Sequence, residues 1–503
     1  MDWLRAVDLA RALANYHYDL IGDWYRDPWG WQEIDWLVAN RPDLVAARLD
    51  ATGVRPALQI DVPKVDFATR PGLIFDPLDR LCYQAMIDTL SSRLIGDLPK
   101  WAYGVRLKRR APSPGVYAIA KEFDRYRRRL QRLARQEPYA LKTDIVSFFS
   151  SIPTQNLCEA ITQRARNDLT RRLSDMIVRW AQIPGRPGLQ QRSLASSVLA
   201  NMYVQPIDDL LAAEGATDYT EKTGYGRAVR WTDDIWLFGT HPAQLRRAQV
   251  RIEARIRDLG LSMGAAKTQL LHGSRLQEEV FQLELGYIDF SLQSSTPDPR
   301  PLEDLVRKLM AAPEAADRTA IRFACVRVRS HRRLDLADQI ADAAHRMPQG
   351  ATDIARMLRE LGLWRGRVAW YLDYCASPWA AIEWAPAQLG TMFPADASAP
   401  TELTDFFSTQ IPLRHSLPFL ALAAQRLASW RPAAARDVIR DAVRRATHPL
   451  ERRVLALAAL HANDERAFVR RLLSEFEENQ PTLFALEDSG YRALDVVPDY
   501  TGR

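Results

Sequence analysis

Hydrophobic and polar positions follow different patterns on the two sides of residue 300. Upstream, short apolar stretches such as residues 140–152 and 230–238 are separated by long segments in which apolar residues recur every three or four positions. Stretches of the first kind predict strands, and segments of the second kind predict helices. From Leu302 onward only the helical pattern remains. The chain is therefore predicted to be an α+β region followed by an all-α region.

The all-α region contains many helix patterns in succession. Amphipathic patterns cover residues 351–363, 417–429, 433–446 and 450–461, and Pro, Gly or Asp residues separate them. Successive helices of this length with short connections are typical of helical repeats, although no regular sequence period is visible. Residues 302–503 are therefore predicted to form an α-helical repeat-like domain.

Two boundaries divide the rest of the chain. Residues 1–64 are predicted to be helical and are rich in Trp and Tyr, which favours a helical cap packed on the next region. Residues 291–301 contain a Ser-Ser-Thr-Pro-Asp-Pro sequence and are predicted to be a turn-rich linker. The predicted domains are thus residues 1–64, 65–295 and 302–503.

Positive charge is concentrated in one part of the sequence. The 503-residue chain has a formal net charge of +6, which is a modest preference for anionic partners. Between Lys100 and Arg135 there are 12 Lys or Arg residues and only two acids, Glu122 and Asp124. Such a run is usually a solvated helix face, but its position just before the first acidic strand favours contact with a phosphate backbone.

Cysteine usage and hydropathy predict a cytoplasmic protein. The four cysteines are scattered, form no Cys-x-x-Cys pair and are predicted to be reduced thiols: Cys82, Cys158, Cys325 and Cys375. The first residues lack the basic-then-apolar pattern of a signal peptide. No apolar run approaches the roughly 20 residues of a membrane span, so no membrane partner is expected.

Acidic residues interrupt two of the predicted strands. Asp233 and Asp234 are adjacent in one strand, and Asp144 lies in the other. An unpaired carboxylate in a buried strand costs several kcal/mol. A divalent cation between the strands would compensate these charges, as in two-metal phosphoryl or nucleotidyl transfer. On its own, an acidic pair more often marks a β-turn or a surface position.

Further motifs accompany the acidic strands in a fixed order. They are Asp144-Ile145 with Phe148-Phe149, residues 188–203 closed by Ile207-Asp208, Trp231-Thr232-Asp233-Asp234, residues 260–268 with Lys267, and Leu285-Gly286-Tyr287. In this order they resemble the palm of a reverse transcriptase, and five partial matches over about 145 residues are a specific signal.

Upstream motifs extend this resemblance. Arg70-Pro71-Gly72, Asp79-Arg80-Leu81 and Tyr103-Gly104-Val105-Arg106 resemble the fingers motifs of group II intron and bacterial reverse transcriptases. The resemblance covers about residues 65 to 295. It implies the fingers and palm of a right-hand polymerase, with the first helices of the C-terminal region as a thumb.

The resemblance implies a metal site. Asp144 and Asp233 would bind two magnesium ions, with manganese as an alternative. Asp234 would be a weaker ligand or would orient the others. The Ile145 carbonyl would complete the coordination of one ion, because oxygen ligands suit this hard cation.

The resemblance also assigns substrate contacts. Phe149 would stack under the sugar and exclude a 2′-hydroxyl, and Gln191 would contact the nucleotide near the sugar. Core packing is the alternative for Phe148 and Phe149, and alternation along a strand predicts that it applies to one of them. Lys267 would neutralise or protonate the pyrophosphate, with a surface lysine as the alternative. Arg106 would hold the triphosphate through its planar guanidinium.

Three positions depart from the family pattern. Trp231 replaces the usual Tyr of the metal motif, and Gln190 and Arg192 replace the Pro and Gly that normally flank the central Gln. These changes put ordinary templated copying in doubt and leave the metal chemistry intact. They favour a divergent bacterial lineage.

A reverse transcriptase region joined to a C-terminal helical array resembles the bacterial reverse transcriptases of the abortive-infection and defence-associated group. That resemblance implies a DNA polymerase in antiphage defence that uses deoxynucleotides, makes DNA, and is untemplated or protein-primed in some members. The alternatives are templated reverse transcription of a dedicated RNA, or an inactive nucleic-acid-binding scaffold. The helical array also predicts homo-oligomerisation. The sequence leaves the template, the primer and the phage trigger open.

Overall fold

The computed structural model describes residues 6–107, 119–183, 188–215, 227–293, 298–413 and 415–500. Lys108, Arg109 and Arg110 of the cationic run lie outside the described residues, as do residues 294–297 of the predicted linker.

Helices predominate in the described chain, and seven strands lie among those of the first half. The helices of the first half are α1 (Leu9–Leu20), α2 (Gln32–Asn40), α3 (Pro42–Asp50), α4 (Pro77–Ile95), α5 (Ile119–Gln136), α6 (Phe148–Ser151), α7 (Thr154–Arg164), α8 (Asp168–Ala181), α9 (Leu194–Tyr203), α10 (Gln205–Gly215), α11 (Pro242–Asp258), α12 (Gly273–Phe281) and α13 (Leu283–Gln293). The helices of the second half are α14 (Arg300–Ala311), α15 (Arg318–Ser330), α16 (Leu334–Asp342), α17 (Ala351–Glu360), α18 (Val368–Ala376), α19 (Trp384–Gly390), α20 (Thr401–Gln410), α21 (Leu417–Trp430), α22 (Pro432–Ala442), α23 (Pro449–His461), α24 (Arg466–Ser474) and α25 (Gln480–Asp488). The strands are β1 (Leu58–Pro63), β2 (Thr69–Ile74), β3 (Ala102–Tyr103), β4 (Tyr139–Thr143), β5 (Ala228–Trp231), β6 (Asp234–Gly239) and β7 (Gln269–His272).

These elements belong to two compact units, and each unit is built from separate segments. The first unit contains Met1–Asp23, Asp43–Val54 and Leu78–Tyr287, and the second contains Trp24–Pro42, Arg55–Pro77 and Ile288–Arg503. The second unit therefore includes α2 and the β1–β2 hairpin in addition to the C-terminal helices. The predicted domains 1–64, 65–295 and 302–503 follow sequence boundaries, and as functional domains they stay a prediction.

A five-stranded sheet organises the first unit. Its strand order is β3-β5-β6-β4-β7, in which β3 and β5 are parallel and all other neighbours are antiparallel. The register of β4 against β6 pairs Thr143 with Ile235. Asp144 directly follows Thr143, and Asp234 directly precedes Ile235, so this register brings both acids to the same end of the sheet.

Helices pack on both faces of the sheet. On one face, β-strand side chains and residues of α5 and α12 form one apolar cluster: Tyr103, Tyr126, Leu130, Leu133, Ala134, Ala140, Val229, Trp236, Phe238, Leu271, Leu276 and Val280. The alternate residues Ile235 and Leu237 of β6 are also buried, and α10 and α11 contact this strand. Burial on both faces explains why β6 is almost continuously apolar instead of alternating.

Helical repeats form most of the second unit. In it α15, α17, α19, α21 and α23 contact one another in succession, and α16, α18, α20 and α22 each contact the next member of that layer. The layer helices begin at Arg318, Ala351, Trp384, Leu417 and Pro449, so successive starts are 33, 33, 33 and 32 residues apart.

Hydrogen bonds connect equivalent positions of successive repeats. The Gln349 side chain donates to the carbonyl of Ala316 at 2.9 Å, and the Arg426 guanidinium donates to the carbonyl of Phe393 at 2.8 Å; both pairs are separated by 33 residues. The structure thus has a period that the sequence did not reveal. The predicted α+β region followed by an all-α, repeat-like region is confirmed.

Two local predictions need correction. The N-terminal region is helical in α1, α2 and α3, but residues Leu58–Pro63 form β1, which pairs with β2 through register partners from Leu58↔Ile74 to Pro63↔Thr69. The predicted linker is shorter than 291–301, because α13 continues to Gln293 and α14 begins at Arg300. Among the described helices, none has both the length and the apolar composition that a membrane span requires.

Candidate active site

A tight hairpin between β5 and β6 carries the central acid. Trp231 pairs with Asp234, so Thr232 and Asp233 form a two-residue connection. Thr232 has a φ of 51°. A positive φ at the first loop position is the geometry of a type II′ hairpin turn, where Gly is usual. A β-branched residue in this region is strained by about 1–3 kcal/mol, and such strain is often found at functional sites.

A buried polar network holds this turn in place. Arg230 is fully buried and donates to both carboxylate oxygens of Asp208, at 2.8 and 2.6 Å. Its other terminal nitrogen donates to the Asn201 side chain at 2.9 Å and to the carbonyl of Thr232 at 2.8 Å. Asn201 and Asp208 are also buried, at the end of α9 and in α10. One guanidinium therefore connects the turn before Asp233 to two helices.

Sequence reasoning did not assign a role to Arg230. Asp208 is predicted only as part of the motif that includes residues 188–203, and Arg230 only as the first residue of an apolar stretch. The available signal was a basic residue in an otherwise apolar strand, because a buried cation requires a paired acid.

Asp144 is positioned by the segment that follows α11. The Gly264 amide donates to the Asp144 carbonyl at 2.8 Å, and the Val146 amide donates to the Ser262 carbonyl at 2.9 Å. Ile145, which is buried, forms an antiparallel bridge with Met263 between these two bonds. The two hydrogen bonds of this bridge use the Asp144 carbonyl and the Val146 amide, and the Ile145 carbonyl takes part in neither.

Gly264 leaves space for the Asp144 side chain. A Cβ at this position would overlap Asp144 Oδ1, so no other residue fits without a shift of the acid. The same segment brings Lys267 into the site, where its Nζ donates to Asp144 Oδ2 at 2.6 Å. The side-chain hydroxyls of Thr143 and Thr268 are 2.7 Å apart and join the segment to β4.

The three acids and Lys267 share one electrostatic environment. The pKa of Asp233 is raised from 3.8 to about 7, chiefly by burial and then by the neighbouring charges of Asp234 and Asp144, while Lys267 lowers it. The pKa of Asp234 is also raised by burial, against the lowering effects of Lys142 and Lys267. The hydrogen bond from Lys267 to Asp144 raises the pKa of the lysine. The predicted catalytic residues are therefore brought together.

The residues suit a divalent cation, although they are not arranged around one. Within the described ranges, no three or more Asp, Glu, His or Cys side chains are placed to hold a metal ion jointly. The donor set nevertheless fits magnesium, because buried carboxylate oxygens that repel one another gain from a hard cation. Because Gly264 has no Cβ, Asp144 Oδ1 can lie against it, while Lys267 donates to the other oxygen, Oδ2.

Asp234 has additional neighbours that distinguish it from Asp233. Lys142 of β4 forms an ion pair with Glu279 of α12, and its Nζ lies 5.4 Å from the centre of the Trp236 ring. Lys142 and Glu279 both influence the pKa of Asp234. Asp234 therefore belongs to the face of the sheet that α5 and α12 cover, and its part in metal binding stays a prediction.

Phe148 and Phe149 do not lie on a strand as predicted. β4 ends at Thr143, Ser147 adopts a φ of 48°, and the two phenylalanines begin the short helix α6. Phe148 is buried and Phe149 is only half-buried, so one of the two packs in the core, as expected. Their different burial comes from their positions on a helix and not from alternation along a strand. Their rings are in contact, with centroids 5.3 Å apart.

The loop that carries Gln191 lies against Phe149. The Leu189 amide donates to the Phe149 carbonyl at 2.7 Å, and Gly188 has a φ of 76° at a point where a Cβ would overlap the Phe149 and Ser150 carbonyls. This close approach requires glycine. It brings two of the predicted substrate-contacting positions together, and their substrate contacts stay a prediction.

Arg192 makes a contact that the family pattern does not suggest. Its φ is 58°, a conformation that Gly adopts at lower cost, and its guanidinium donates to the Gly22 carbonyl at 3.2 Å. Asp19 of α1 accepts from the Leu194 amide at 2.8 Å and also pairs with Arg80 at 2.9 Å. The N-terminal helix thus supports the loop before α9.

Arg106 is engaged with the backbone. Its guanidinium donates to the carbonyls of Pro99, Ala102 and Leu98, and burial lowers its pKa. Arg106 therefore stabilises the backbone of the segment that connects α4 to β3. A contact with a triphosphate would require the side chain to leave these carbonyls, and that role stays a prediction.

Trp231 joins the hairpin to α5. Its ring lies 5.2 Å from Phe123 and 5.5 Å from Tyr126, and Tyr126 in turn contacts Tyr103 at 5.9 Å. The Trp that replaces the family's Tyr therefore contributes packing area beside Asp233.

The match to a known protein family covers the segment that contains the candidate site. Residues 62–305, just under half of the chain, match the family model described as "Reverse transcriptase (RNA-dependent DNA polymerase)". A solved structure titled "Structure of apo telomerase from Candida Tropicalis" is similar at 11% sequence identity, over 71% of this chain and 74% of that chain, with a TM-score of 0.27. No curated protein matches the chain. The matched segment contains Asp144, Gln191, Asp233 and Lys267.

Proposed function

We propose that this chain, whose residues 62–305 form a reverse transcriptase domain, is a DNA polymerase that acts in bacterial defence against phage. The observation that supports polymerase activity most directly is the group of Asp144, Asp233 and Asp234 at one end of the sheet. The pKa of Asp233 near 7 reflects the cost of burying it beside two other carboxylates. Such a cost is expected where the acids bind cations for chemistry.

Asp144 and Asp233 would hold two magnesium ions, or manganese ions in their place. Asp234 and the Ile145 carbonyl would complete the donor set. When bound, the ions stabilise charge on the attacking and leaving oxygens of nucleotidyl transfer. Lys267, hydrogen-bonded to Asp144, would neutralise or protonate the leaving pyrophosphate.

The substrates would be deoxynucleotides and the product DNA. Phe149 and the Gln191 loop lie together, and Phe149 is five residues after Asp144, which supports a pocket in which an aromatic ring restricts the sugar. The acceptor would be a 3′-hydroxyl, or a protein hydroxyl at initiation. The location would be the cytoplasm, where deoxynucleotides and phage genomes are both present.

Departures from the family pattern support an unusual mode of synthesis. Arg192 has a large cationic side chain in a backbone conformation that favours Gly, and Trp231 is packed in an aromatic cluster beside the acids. Untemplated or protein-primed synthesis is therefore the preferred hypothesis. The 33-residue helical repeats support the resemblance to defence-associated enzymes and a homo-oligomer. Templated reverse transcription of a dedicated RNA remains the alternative within the same chemistry.

The test is incorporation of each labelled deoxynucleotide with magnesium or manganese, with and without added RNA or DNA. Asp144→Asn and Asp233→Asn should abolish incorporation without unfolding the protein, because removal of one of several like charges seldom destabilises a cluster. Asp258→Asn, an exposed change on α11, is the matched control and should retain activity. Analysis of the product on a denaturing gel distinguishes free DNA from DNA attached to the protein.

Each outcome selects one hypothesis. Incorporation that needs no added nucleic acid supports untemplated synthesis, and a requirement for one RNA supports the templated alternative. Incorporation by Asp233→Asn near the wild-type rate would overturn the site assignment. Nucleic-acid binding without incorporation of any deoxynucleotide, with either metal, would favour the inactive scaffold.

A further inference from the structure

A line of cations follows the exposed face of α5. Five basic residues at intervals of four, three, four and three positions share one side of the helix, and each of them is exposed: Lys121, Arg125, Arg128, Arg132 and Arg135. We call this set the cationic stripe. Residues at these spacings are stacked along one helix face, and 14 residues of helix extend the stripe over about 21 Å.

The acids of α5 offset only part of the stripe's charge. Glu122 is fully buried and pairs with Arg125 at 2.8 Å, while Asp124 is the helix's other acid. Among the described residues, no acidic side chain forms an ion pair with Lys121 or Arg128. Asp124 is exposed three residues after Lys121 and four before Arg128, so it shares this face. Five exposed cations against one exposed acid still make the face strongly positive, whereas a solvated helix face normally mixes both signs.

Helix α11 provides a contrast within the same unit. Three of its five arginines pair with acids: Arg251 with Glu214, Arg257 with Glu253, and Arg255 with Asp258. α11 therefore has the mixed-charge surface of an ordinary solvated helix. α5 has six arginines and one lysine and α11 has five arginines, so the two helices differ in the number of cations as well as in their pairing.

The stripe has a fixed position relative to the catalytic hairpin. The opposite face of α5 packs on the sheet through Tyr126, Leu130 and Leu133. Phe123 and Tyr126 contact Trp231, which lies two residues before Asp233. A strand held by the stripe would therefore stay at a constant distance and direction from the acids.

We propose that the cationic stripe of α5 binds the sugar-phosphate backbone of the nucleic-acid strand that leads to the Asp233 hairpin. The spacing supports one strand, because a single line of cations about 5 Å apart matches one backbone better than a broad anionic surface. Phe123 is 42% exposed beside Trp231, and it adds an aromatic surface for a base at the end of the stripe nearest the acids. This inference rests on the proposed function, since it assigns a path to the polymerase's nucleic acid.

The test compares two double variants that remove the same charge. Lys121→Gln/Arg128→Gln removes two cations of the stripe, and Arg246→Gln/Arg247→Gln removes two exposed cations of α11. Binding of a fluorescein-labelled 20-nucleotide DNA, its duplex and an RNA·DNA hybrid is measured by anisotropy in the full chain from 50 to 300 mM salt, without nucleotides. Thermal unfolding checks that all proteins are folded.

The stripe variant should lower the slope of log affinity against log salt by about 1.4 for a single strand or about 1.8 for a duplex. The α11 variant should leave the slope close to wild type. The probe with the larger change identifies whether a single strand or a duplex follows the stripe. Equal slopes for both variants, or equal competition by polyglutamate and unlabelled DNA, would overturn the assignment.

Binding is read out separately from catalysis. A chain that binds through the stripe but incorporates no nucleotide would refute the proposed function and leave this inference standing. A chain that incorporates nucleotides while the stripe variant binds with an unchanged slope would refute the inference alone.

Discussion

The buried Arg230–Asp208 pair should determine both the stability of the sheet unit and the activity of the hairpin, and the two effects can be separated. The relative exposures of these side chains are 0% and 1%, and the bond is bidentate. Arg230→Met would leave the Asp208 carboxylate buried without its cation. Loss of one partner of such a pair costs about 3–5 kcal/mol. This is a large part of the roughly 5–15 kcal/mol by which domains are stable.

The double variant Arg230→Met/Asp208→Leu tests the origin of this cost. Replacement of both charges by apolar groups of similar size is often neutral or stabilising by about 1–4 kcal/mol, so most of the lost stability should return. Activity should not return, because Thr232 would still lack the donor that holds its carbonyl at 2.8 Å. A strained turn without its anchor relaxes, and Asp233 moves with it.

Urea unfolding followed by circular dichroism gives the stability, with each transition fitted separately because the chain has two compact units. Nucleotide incorporation over a magnesium titration gives the activity. Unfolding of Arg230→Met at the wild-type urea concentration would refute the energetic argument. Recovery of both stability and incorporation in the double variant would refute the positioning argument.

Three further outcomes can be measured. Phe149→Val should admit ribonucleotides in single-nucleotide incorporation, whereas Phe148→Ala should lower the unfolding free energy by about 3–5 kcal/mol and keep discrimination; unchanged sugar choice in the first variant would contradict the pocket. The folded-state pKa of Asp233, about 7, exceeds its ordinary value of 3.8, so between these two pH values the folded chain binds a proton that the unfolded chain has released. Without metal, the free energy of unfolding should therefore fall as pH rises through this window. Magnesium should therefore raise the melting temperature more at pH 8 than at pH 5.5, and equal shifts would argue against metal binding at Asp233. Mass photometry of the full chain should give a homo-oligomer, and a monomer at all concentrations would contradict that expectation. A chain truncated after Pro301 is unsuitable for this test, because it lacks Arg453, which pairs with Asp27 and Glu33 inside the second unit.

Sequence reasoning identified the acids because their chemistry is local. Asp144, Asp233 and Asp234 are conspicuous because they interrupt apolar stretches of the sequence. It also anticipated the helices of the C-terminal region, since α17, α21 and α23 begin within one residue of the predicted starts. These features depend on neighbouring residues, which a sequence displays directly.

The features that sequence reasoning missed depend on contacts between distant residues. The 33-residue period is hidden because equivalent positions are occupied by different apolar residues, and the layer helices vary from α19, with 7 residues, to α21, with 14. The helical placement of Phe148 and Phe149 depends on the left-handed Ser147, for which the sequence gives no glycine signal. Register and packing, which are tertiary properties, determined both results.

Arg230 shows how such distant contacts define the site. Its guanidinium donates hydrogen bonds to two side chains far back in the sequence, Asn201 at 29 residues and Asp208 at 22 residues. It also donates to the carbonyl of Thr232, two residues later in the strained turn. A hairpin that places Asp233 among like charges is disfavoured by repulsion and by backbone strain together. A buried, bidentate arginine is suited to oppose both, because it fixes the turn without adding mobile charge to the acids. The acidic motif therefore depends on a buried cation of the fold, Arg230, in addition to the metal ions proposed for chemistry.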